Sequence, residues 1–273
     1  MAKEPEPVRQ GGGRGGGRGR PRLRLEVLRT SLITPHMVRI VLGRGDIAAF
    51  TDNGHADHYV KLAFPQPEAE GGGEVVRTYT VRRYDAEAGE LTIDFVHHGA
   101  EGTAGPWAAA ARPGDELLLS GPGGKYSPLP RPEADWHLLA GDESALPAIG
   151  SALERMAPGT RAVALVEVAG PEEEQKLDSP ADLDLVYLHR SHGQAPGEAL
   201  EAAVRALDFP AGRVQAFVHG EATAVMKGLR PHLLKDRGLD RGLLSISGYW
   251  RRGDTEESFR RWKQQEAAAE SAD

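Results

Sequence analysis

Residues 138–149 read LLAGDESALPAI, and this stretch decides which fold the second half of the chain adopts. It continues an apolar strand that begins at Trp136, passes through a turn of small residues at Gly141–Ala145, and enters a helix whose apolar residues recur at helical spacing. A strand–turn–helix at the switch point of an α/β sheet is where dinucleotides bind. The spacing differs from G-x-G-x-x-G, so this turn is by itself a weak signal for a nucleotide.

Strands and helices alternate from this stretch toward the C-terminus. Such alternation predicts a parallel sheet flanked by helices. Pro231 lies inside the last predicted helix and should kink or divide it. After the first strand, the predicted elements are a helix with Leu146, Ile149, Leu153 and Met156 on one face, strands at Ala162–Val168, Leu183–His189, Val214–His219 and Leu243–Ser247, and helices at Glu198–Leu207 and Ala222–Lys235.

Short strands separated by Gly, Pro and Asp fill the chain on the N-terminal side. Six strands with turn signals at this spacing predict a small antiparallel barrel. The predicted strands are Arg22–Arg29, Met37–Leu42, Tyr59–Phe64, Val75–Arg82, Leu91–His97 and Glu116–Ser120, with one short helix at Trp107–Ala111. We therefore expect a barrel domain at 22–130, a linker within Ser127–Ala134, an α/β domain at 131–262, and disordered tails at 1–21 and 263–273.

Composition excludes several kinds of chemistry. The 273 residues include no cysteine, which excludes disulfides, thiolate-bound zinc and cysteine-ligated iron–sulfur clusters. Electron transfer would therefore need an organic cofactor or a metal with N/O ligands. The net charge is −7, and because residues 1–24 contribute +5, the remainder carries −12. No apolar run approaches the roughly 20 residues of a membrane span, and no secretory signal is visible, so we expect a cytoplasmic, monomeric globular protein.

The N-terminal segment Gly11–Arg20 reads GGGRGGGRGR and cannot bury apolar surface. Gly/Arg-rich segments of this kind can bind single-stranded nucleic acid. A flexible, solubilising tail is the favoured interpretation, because the segment is short and the rest of the chain is acidic.

The strand Arg77–Arg82 reads RTYTVR and resembles the flavin-binding strand of ferredoxin-reductase-like enzymes. Arg77 can pair with a pyrophosphate, Tyr79 can pack against an isoalloxazine ring, and Thr80 can hydrogen-bond the ring edge. Strand alternation places Arg77 and Tyr79 on one face and Thr80 on the other, so twist or a bulge must reconcile these roles. An ordinary solvated strand remains the alternative.

Two glycine-containing segments follow, DFVHHG at 94–99 and GTAGPW at 102–107. Small residues before a short helix leave backbone N–H groups free to face a phosphate. A metal site that joins His97 and His98 to His55 and His58 is disfavoured, because adjacent histidines on a strand point to opposite faces. The later run GPGGKY at 121–126 lacks the spacing of a phosphate-binding P-loop.

Near the C-terminus the chain reads GYWRRG at 248–253, with TEE at 255–257. This segment can place an aromatic ring over a flavin and a cation at the mouth of the site. A terminal strand followed by a solvated helix is the alternative interpretation.

From about Arg22 to Trp262, these motifs in this order resemble the siderophore-interacting protein family, whose second-domain signature the stretch GDESALPAI closely matches. The resemblance implies non-covalent FAD, electrons from NAD(P)H or ferredoxin, and reduction of ferric siderophores in the cytoplasm, with no metal-ligating side chain. The predicted FAD-binding residues are Arg77, Thr78, Tyr79, Thr80, Asp94, His98, Gly102, Thr103, Ala104, Trp107, Tyr249 and Trp250.

The predicted nucleotide and substrate sites lie at other segments. For NAD(P)H they are Gly141, Asp142, Glu143, Ser144, Arg190, Gly220 and Glu221, and for the anionic ferric siderophore they are Lys61, Lys125 and Arg251. Three glutamates within Gly170–Gln175 would repel a 2′-phosphate, whereas Arg190, assisted by Ser191 and His192, could bind one. The balance favours NADPH slightly over NADH.

Two other functions stay open. One is a flavin or ferredoxin reductase with a different acceptor, which a neutral, apolar flavin mouth would favour. The other is a siderophore-binding protein without flavin and without enzymatic activity, which the colour of the purified protein distinguishes from a flavoprotein.

Overall fold

A computed structural model describes residues 21–66, 72–97, 99, 102–190 and 193–270. These residues form an antiparallel sheet in the N-terminal half and a parallel sheet with flanking helices in the C-terminal half, which confirms the predicted fold class. Residues 1–20 and 271–273 lie outside the described residues, and so does most of the predicted N-terminal tail. No helix in the described ranges combines the length and the apolar character that crossing a membrane requires.

Alternating apolar residues build the N-terminal sheet. In the first strand Leu23, Leu25 and Val27 are buried and face the core, as a period of two predicts. The seven strands are β1 (Leu23–Thr34), β2 (Met37–Gly43), β3 (Tyr59–Pro65), β4 (Glu74–Thr80), β5 (Arg83–Asp85), β6 (Glu90–Val96) and β7 (Glu116–Gly123). Their order is β4-β3-β7-β1-β2-β6-β5.

The strand count differs from the predicted six, because a short strand that was not predicted, β5, follows the predicted strand Val75–Arg82. Strands β4 and β5 lie at the two edges of the sheet, yet only Val81 and Arg82 separate them along the chain. Val81 N donates to His58 O at 2.8 Å, and Arg82 N donates to Thr92 O at 2.8 Å. The chain thus passes from pairing with β3 to pairing with β6 within a single segment. The order of hydrogen-bonded strands therefore has two ends, and the sheet does not form a continuous ring.

Helix α1 (Ala104–Ala110) packs against β2 and β6. It begins three residues before the predicted helix and ends one residue earlier. Trp107 anchors it, with its ring 5.4 Å from Phe64 and 5.8 Å from Phe95 between centroids. Aromatic pairs at such separations add to the stabilisation from buried area.

The C-terminal sheet is parallel, with the order β10-β9-β8-β11-β12. Every residue of β8 and β11 is buried, as expected for central strands covered on both faces. The elements are β8 (Trp136–Asp142), α2 (Leu146–Glu154), β9 (Arg161–Val168), β10 (Asp182–His189), α3 (Glu198–Ala206), β11 (Val214–Glu221) and β12 (Leu244–Trp250). The predicted helix between β11 and β12 is π-helical at Thr223–Leu229 and His232–Asp236, and Pro231 lies at their junction, where a missing N–H interrupts regular helical bonding.

Helix α4 (Glu256–Glu270) corrects the expectation of a disordered tail from residue 263, because the chain is helical as far as residue 270. The sequence of this segment is polar, but tertiary contacts hold it. Phe259 is buried, with its ring 3.5 Å from where a Cβ on Gly248 would stand, and Lys227 on the first π-helical segment pairs with Glu266 at 2.6 Å.

The two halves meet where the segment between β4 and β5 touches helix α2. Arg82 donates both terminal nitrogens to Glu154, and a Cβ on Gly150 would lie 3.2 Å from the Arg82 guanidinium. Arg155 donates to Gly54 O at 2.8 Å. These contacts fix the end of β4 against the α/β domain.

Candidate functional site

The end of β4 and the end of β12 meet at Thr80 and Tyr249, which come from the two different domains. The Thr80 side chain lies close enough to the Tyr249 hydroxyl to influence its pKa. Thr80 is buried, and burial raises the pKa of Tyr249 above the ordinary value of a tyrosine, so its hydroxyl stays neutral. The predicted flavin strand and the predicted C-terminal aromatic segment are therefore brought together.

Strand β4 alternates as the sequence predicts. Arg77 and Tyr79 pair with Leu62 and Val60 of β3, two residues that are fully buried, so they point toward the core side. The Tyr79 ring lies 4.4 Å from that of Phe95. Thr78 and Thr80 point to the other side, and the β3–β4 register contains no bulge that would bring the two sets together. Because β4 is an edge strand, a ligand along its edge can still reach both faces.

The segment before α1 leaves backbone exposed, as a phosphate-binding turn requires. Gly102 has φ +77° and no atom within 4 Å of where a Cβ would stand. Thr103 precedes the helix without capping it through its side chain, and Ala104 is buried beneath the turn. His98, predicted to approach the flavin, lies outside the described residues.

Asp94 has a different immediate partner. It is 3% exposed and accepts two hydrogen bonds from Arg39, at 2.6 and 2.7 Å. Alternation along β6 turns Ile93 and Phe95 to the core and Asp94 to the opposite face. Its role in FAD binding stays a prediction.

At the carboxyl end of the parallel sheet, Asp142 is 1% exposed. Its Oδ1 accepts from Ser144 N at 3.0 Å, and its Oδ2 accepts from Glu221 N and Trp250 Nε1, both at 2.8 Å. Burial raises the pKa of Asp142 to about 6. A Cβ on Gly220, whose φ is +150°, would lie 2.7 Å from this Oδ2, so only glycine permits the approach of the two strand ends.

Arg190 is held by two carboxylates at the same end of the sheet. It donates two hydrogen bonds to Glu143, one of them at 3.0 Å, and one to Glu167 at 3.3 Å. Glu167 is fully buried and also accepts from Gly197 N at 2.8 Å. The cation predicted to bind a 2′-phosphate is therefore already paired, while Ser191 and His192 lie outside the described residues.

Glu221, another predicted nucleotide ligand, is 4% exposed and bonded to backbone. Its Oε2 accepts from Thr223 N at 2.7 Å and from Ala224 N at 3.0 Å, at the start of the first π-helical segment. Carboxylates stabilise such helix starts by satisfying backbone donors. Gly141, Glu143 and Ser144 form the turn beside it, as the sequence predicts.

Of the three predicted substrate cations, Lys61 is the best placed. It is exposed on β3, pairs with Thr78 of β4, and shares with Thr80 the face away from the core. Lys125 is exposed on the loop after β7, where its backbone N donates to Asp57 at 2.8 Å. Arg251 directly follows the aromatic pair, bonds Asp254 at 3.2 Å, and lies 5.3 Å from the Trp262 ring centroid.

Three residues near this corner were not predicted from the sequence. Tyr59 pairs with both Thr80 and Gly123, and its ring fills the space that a Cβ on Gly123 would need. His219 is 5% exposed, with its ring 4.8 Å from that of Tyr249, and burial lowers its pKa to about 3. Lys263 donates to Gly248 O at 3.1 Å, and it was missed because its segment was expected to be disordered.

An antiparallel sheet followed by a parallel sheet with flanking helices is the fold of ferredoxin-reductase-like proteins. Phthalate dioxygenase reductase shares this fold at a TM-score of 0.59 and 17% identity, covering 86% of this chain and 70% of that structure. At that identity the likeness concerns the fold alone.

Family models identify the chain more closely. The siderophore-interacting FAD-binding domain matches residues 26–72 and 69–126, and the siderophore-interacting protein domain matches residues 134–253. The chain belongs to the siderophore-interacting protein family and carries its FAD-binding domain.

Relatives and a solved structure agree with this placement. The chain is 44% identical to an uncharacterised protein of Mycobacterium tuberculosis, over 92% of this chain and 98% of that one. It is 35% identical to the ferric vibriobactin reductase ViuB of Vibrio cholerae, over 88% and 92%, and 33% identical to the NADPH-dependent ferric-chelate reductase of Escherichia coli, over 74% and 82%. A siderophore utilization protein from T. fusca superposes with a TM-score of 0.75 at 41% identity, covering 86% of this chain and 94% of that structure.

Proposed function

We propose that the protein is a cytoplasmic, FAD-dependent reductase that takes electrons from NADPH or NADH and reduces ferric siderophores, which releases Fe(II). The observation that carries the proposal is the junction of Thr80 and Tyr249, where the flavin-binding strand meets the carboxyl end of the parallel sheet. The named activities of the relatives from Vibrio cholerae and Escherichia coli support it.

The residues fit FAD. The open backbone at Gly102 can accept the pyrophosphate, and Arg77 lies on the edge strand from which a guanidinium can pair with it. Tyr79 offers an aromatic surface and Thr80 a hydroxyl for the isoalloxazine. When bound, FAD accepts a hydride as an electron pair and passes the electrons on singly, which is what Fe(III) requires.

The turn Gly141–Ser144 and the strand end Gly220–Glu221 border the place proposed for the nicotinamide nucleotide, because both lie at the carboxyl ends of adjacent parallel strands. NADPH remains the favoured donor, in line with the name of the Escherichia coli relative. Arg190 would then have to exchange Glu143 for the 2′-phosphate, and NADH would leave that ion pair intact. Ferredoxin is kept as an alternative donor.

The proposed acceptor is an anionic ferric chelate that docks against Lys61, Lys125 and Arg251. The siderophore keeps its iron coordinated by hard oxygen donors while the electron arrives, so no protein ligand to iron is needed. Fe(II) binds such donors more weakly, and each electron delivered therefore frees one iron. Exposed Lys61, on the same face as Thr80, provides a cation next to the flavin-binding strand.

Anaerobic reduction of the purified protein tests the proposal. The preparation should be yellow, NADPH or NADH should bleach it, and a ferric siderophore should restore the colour while an Fe(II)-specific chelator records the released metal. A colourless protein that still binds the chelate would favour the siderophore-binding alternative. A flavoprotein reoxidised by free flavin or quinone, but not by ferric chelates, would favour a reductase with another acceptor.

A further inference from the structure

Strand β12 contains an extra residue at the candidate site. Gly248 pairs with Gly220, and Trp250 pairs with Glu221, so Tyr249 has no partner on β11. An inserted residue of this kind, a β-bulge, bends the strand and re-aims a side chain, and bulges occur often beside active sites. Here the re-aimed side chain is that of Tyr249, whose ring packs against His219 and whose hydroxyl lies near Thr80 of the other domain.

The pair of residues that directly follows this bulge, Glu221 and Trp250, converges on one oxygen atom. Asp142 Oδ2 accepts from Glu221 N on β11 and from Trp250 Nε1 on β12, both at 2.8 Å. The other oxygen, Oδ1, is engaged by Ser144 N and Oγ. With both oxygens occupied and 1% of the residue exposed, the carboxylate has no free surface to offer a nucleotide.

The structure assigns Asp142 as the positioning residue for Tyr249: its carboxylate joins β11 and β12 just beyond the bulge and so holds the Tyr249 ring beside Thr80. The kinetic part of this inference rests on the proposed function, because the ring lies between the nucleotide end of the sheet and the flavin-binding strand. Asp142 thereby controls how closely the nicotinamide donor approaches.

Surrounding contacts show why one carboxylate can have this effect. The Tyr249 ring is supported on one side by His219, at 4.8 Å between centroids, and that support does not depend on Asp142. The Trp250 indole N–H, in contrast, has Asp142 as its partner, and a hydrogen bond to a buried charged group contributes more than a neutral one. Loss of that bond should release the end of β12 while its packing persists.

Two single variants and their double test the inference, with Asp142→Asn removing the charge and Trp250→Phe removing the indole donor. The first measurement is water exchange of the indole N–H groups by NMR, in flavin-free and FAD-loaded protein. Asp142→Asn should speed exchange at Trp250 about tenfold, the factor expected for one lost charge-assisted bond, and should leave the Trp107 and Trp136 indoles unchanged. Asp135→Asn, at the opposite end of β8 where the carboxylate accepts from Arg213 N, is the matched control and should change neither the exchange nor the kinetics.

The second measurement is the single-turnover rate at which NADPH or NADH reduces the bound FAD. Each single variant should slow reduction about tenfold, with the Kd for FAD unchanged in Asp142→Asn, and the double variant should be no slower than either single variant, because both changes remove the same interaction. Effects that multiply in the double variant, or an unchanged Trp250 exchange rate in Asp142→Asn, would overturn the inference. If Asp142→Asn does not fold, Trp250→Phe still tests the inference, and a normal rate of FAD reduction in that variant would overturn it. Failure of any donor to reduce the wild-type protein would refute the proposed function, whereas the indole exchange would still decide whether Asp142 holds the bulge.

Discussion

Two basic side chains near Thr80, His219 and Lys61, differ in how far water reaches them. His219 lies between the rings of Phe217 and Tyr249, at 4.0 and 4.8 Å, and its Nε2 lies 3.0 Å from Ser245 Oγ. Burial disfavours its charged form and lowers its pKa to about 3, so it is neutral and supports Tyr249 by packing. Lys61 is exposed and available to an anion in solution.

The buried histidine makes folding stability depend on pH. In the unfolded chain it binds a proton near pH 6.5, whereas the folded protein resists protonation down to about pH 3, so its contribution is complete above pH 6.5 and is lost as pH falls through that window. In His219→Phe the free energy of unfolding should depend less on pH between pH 6 and 4. The slope should fall by up to about 1.4 kcal/mol per pH unit, which is the slope that the uptake of one proton on unfolding produces. Urea titrations at several pH values measure this slope. His189→Gln, an exposed histidine on β10, is the control, and an equal change in slope in that variant would contradict the prediction.

Lys61→Ala should raise KM for an anionic ferric siderophore and leave FAD content and reduction by the donor unchanged. The expected increase is about threefold to tenfold at low ionic strength, and it should shrink as salt screens the exposed charge. Steady-state kinetics with several anionic chelates at two salt concentrations measure it. Lys176→Ala removes an 88% exposed lysine from the other domain and should have no effect. Equal KM values for wild type and Lys61→Ala at low salt would remove Lys61 from the site.

At the scale of elements, strand β12 is placed by contacts on both of its sides. Gly248 comes so close to Ala222, the residue before the first π-helical segment, that a Cβ would lie 2.5 Å from Ala222 Cβ and 2.8 Å from Ala222 Cα. The next residue along the strand is the bulged Tyr249. Because Gly248 has no side chain, β12 can pack closely against the helical segment, and this close packing places the Tyr249 ring.

Gly248→Ala should overpack this contact and reduce the free energy of unfolding by about 1–3 kcal/mol, because backbone atoms cannot yield as a flexible side chain can. It should also displace Tyr249 and slow FAD reduction by the donor. Chemical denaturation and single-turnover kinetics measure the two effects. Gly242→Ala is the matched control, since its nearest neighbour would be a carboxylate oxygen at 3.3 Å, and it should cost less than about 1 kcal/mol. Similar losses in both variants would contradict the close-packing argument.

At the scale of the whole molecule, both apolar and polar contacts join the two halves, since the core on the α2 side of the parallel sheet includes Ala56 and Tyr126 from the N-terminal half. Arg82 lies between them with a side chain 13% exposed, paired with Glu154 of α2. Two residues before it, Thr80 meets Tyr249. The ion pair and the candidate site therefore share one short segment of chain, and domain placement and site geometry should respond together.

Arg82→Ala should remove a partly buried, two-bonded contact and lower stability by about 1–3 kcal/mol, with a fall in Tm of several degrees. It should also weaken the coupling between the domains, so that the calorimetric transition broadens or separates into two. Arg83→Ala changes the neighbouring arginine, which is 69% exposed and pairs only locally with Asp85, and should stay within about 0.5 kcal/mol of wild type. A larger loss in Arg83→Ala than in Arg82→Ala would refute the role given to Arg82.

Local patterns predicted a large part of this protein. The alternation of Leu23, Leu25 and Val27 and the apolar strand before Gly141 are properties of neighbours along the chain, and both are present in the structure. The family, the fold class and the placement of Thr80 opposite Tyr79 followed from the same local information. Residues within a few positions of one another determine strand and helix periodicity, which is why a sequence reveals it.

The roles of the charged side chains depended on tertiary structure. Asp142 looked like a nucleotide ligand, yet 108 residues separate it from Trp250, whose indole it binds, and the bulge at Tyr249 has no local signature. Arg190 is neutralised by Glu143, 47 residues away, and the helix after Glu256 depends on contacts with the π-helical segment. The sequence by itself determined the elements and the family, because periodicity and motifs are local. Only the tertiary structure decided which carboxylates face solvent and which hold the site together, because burial and pairing are set by atoms distant along the chain.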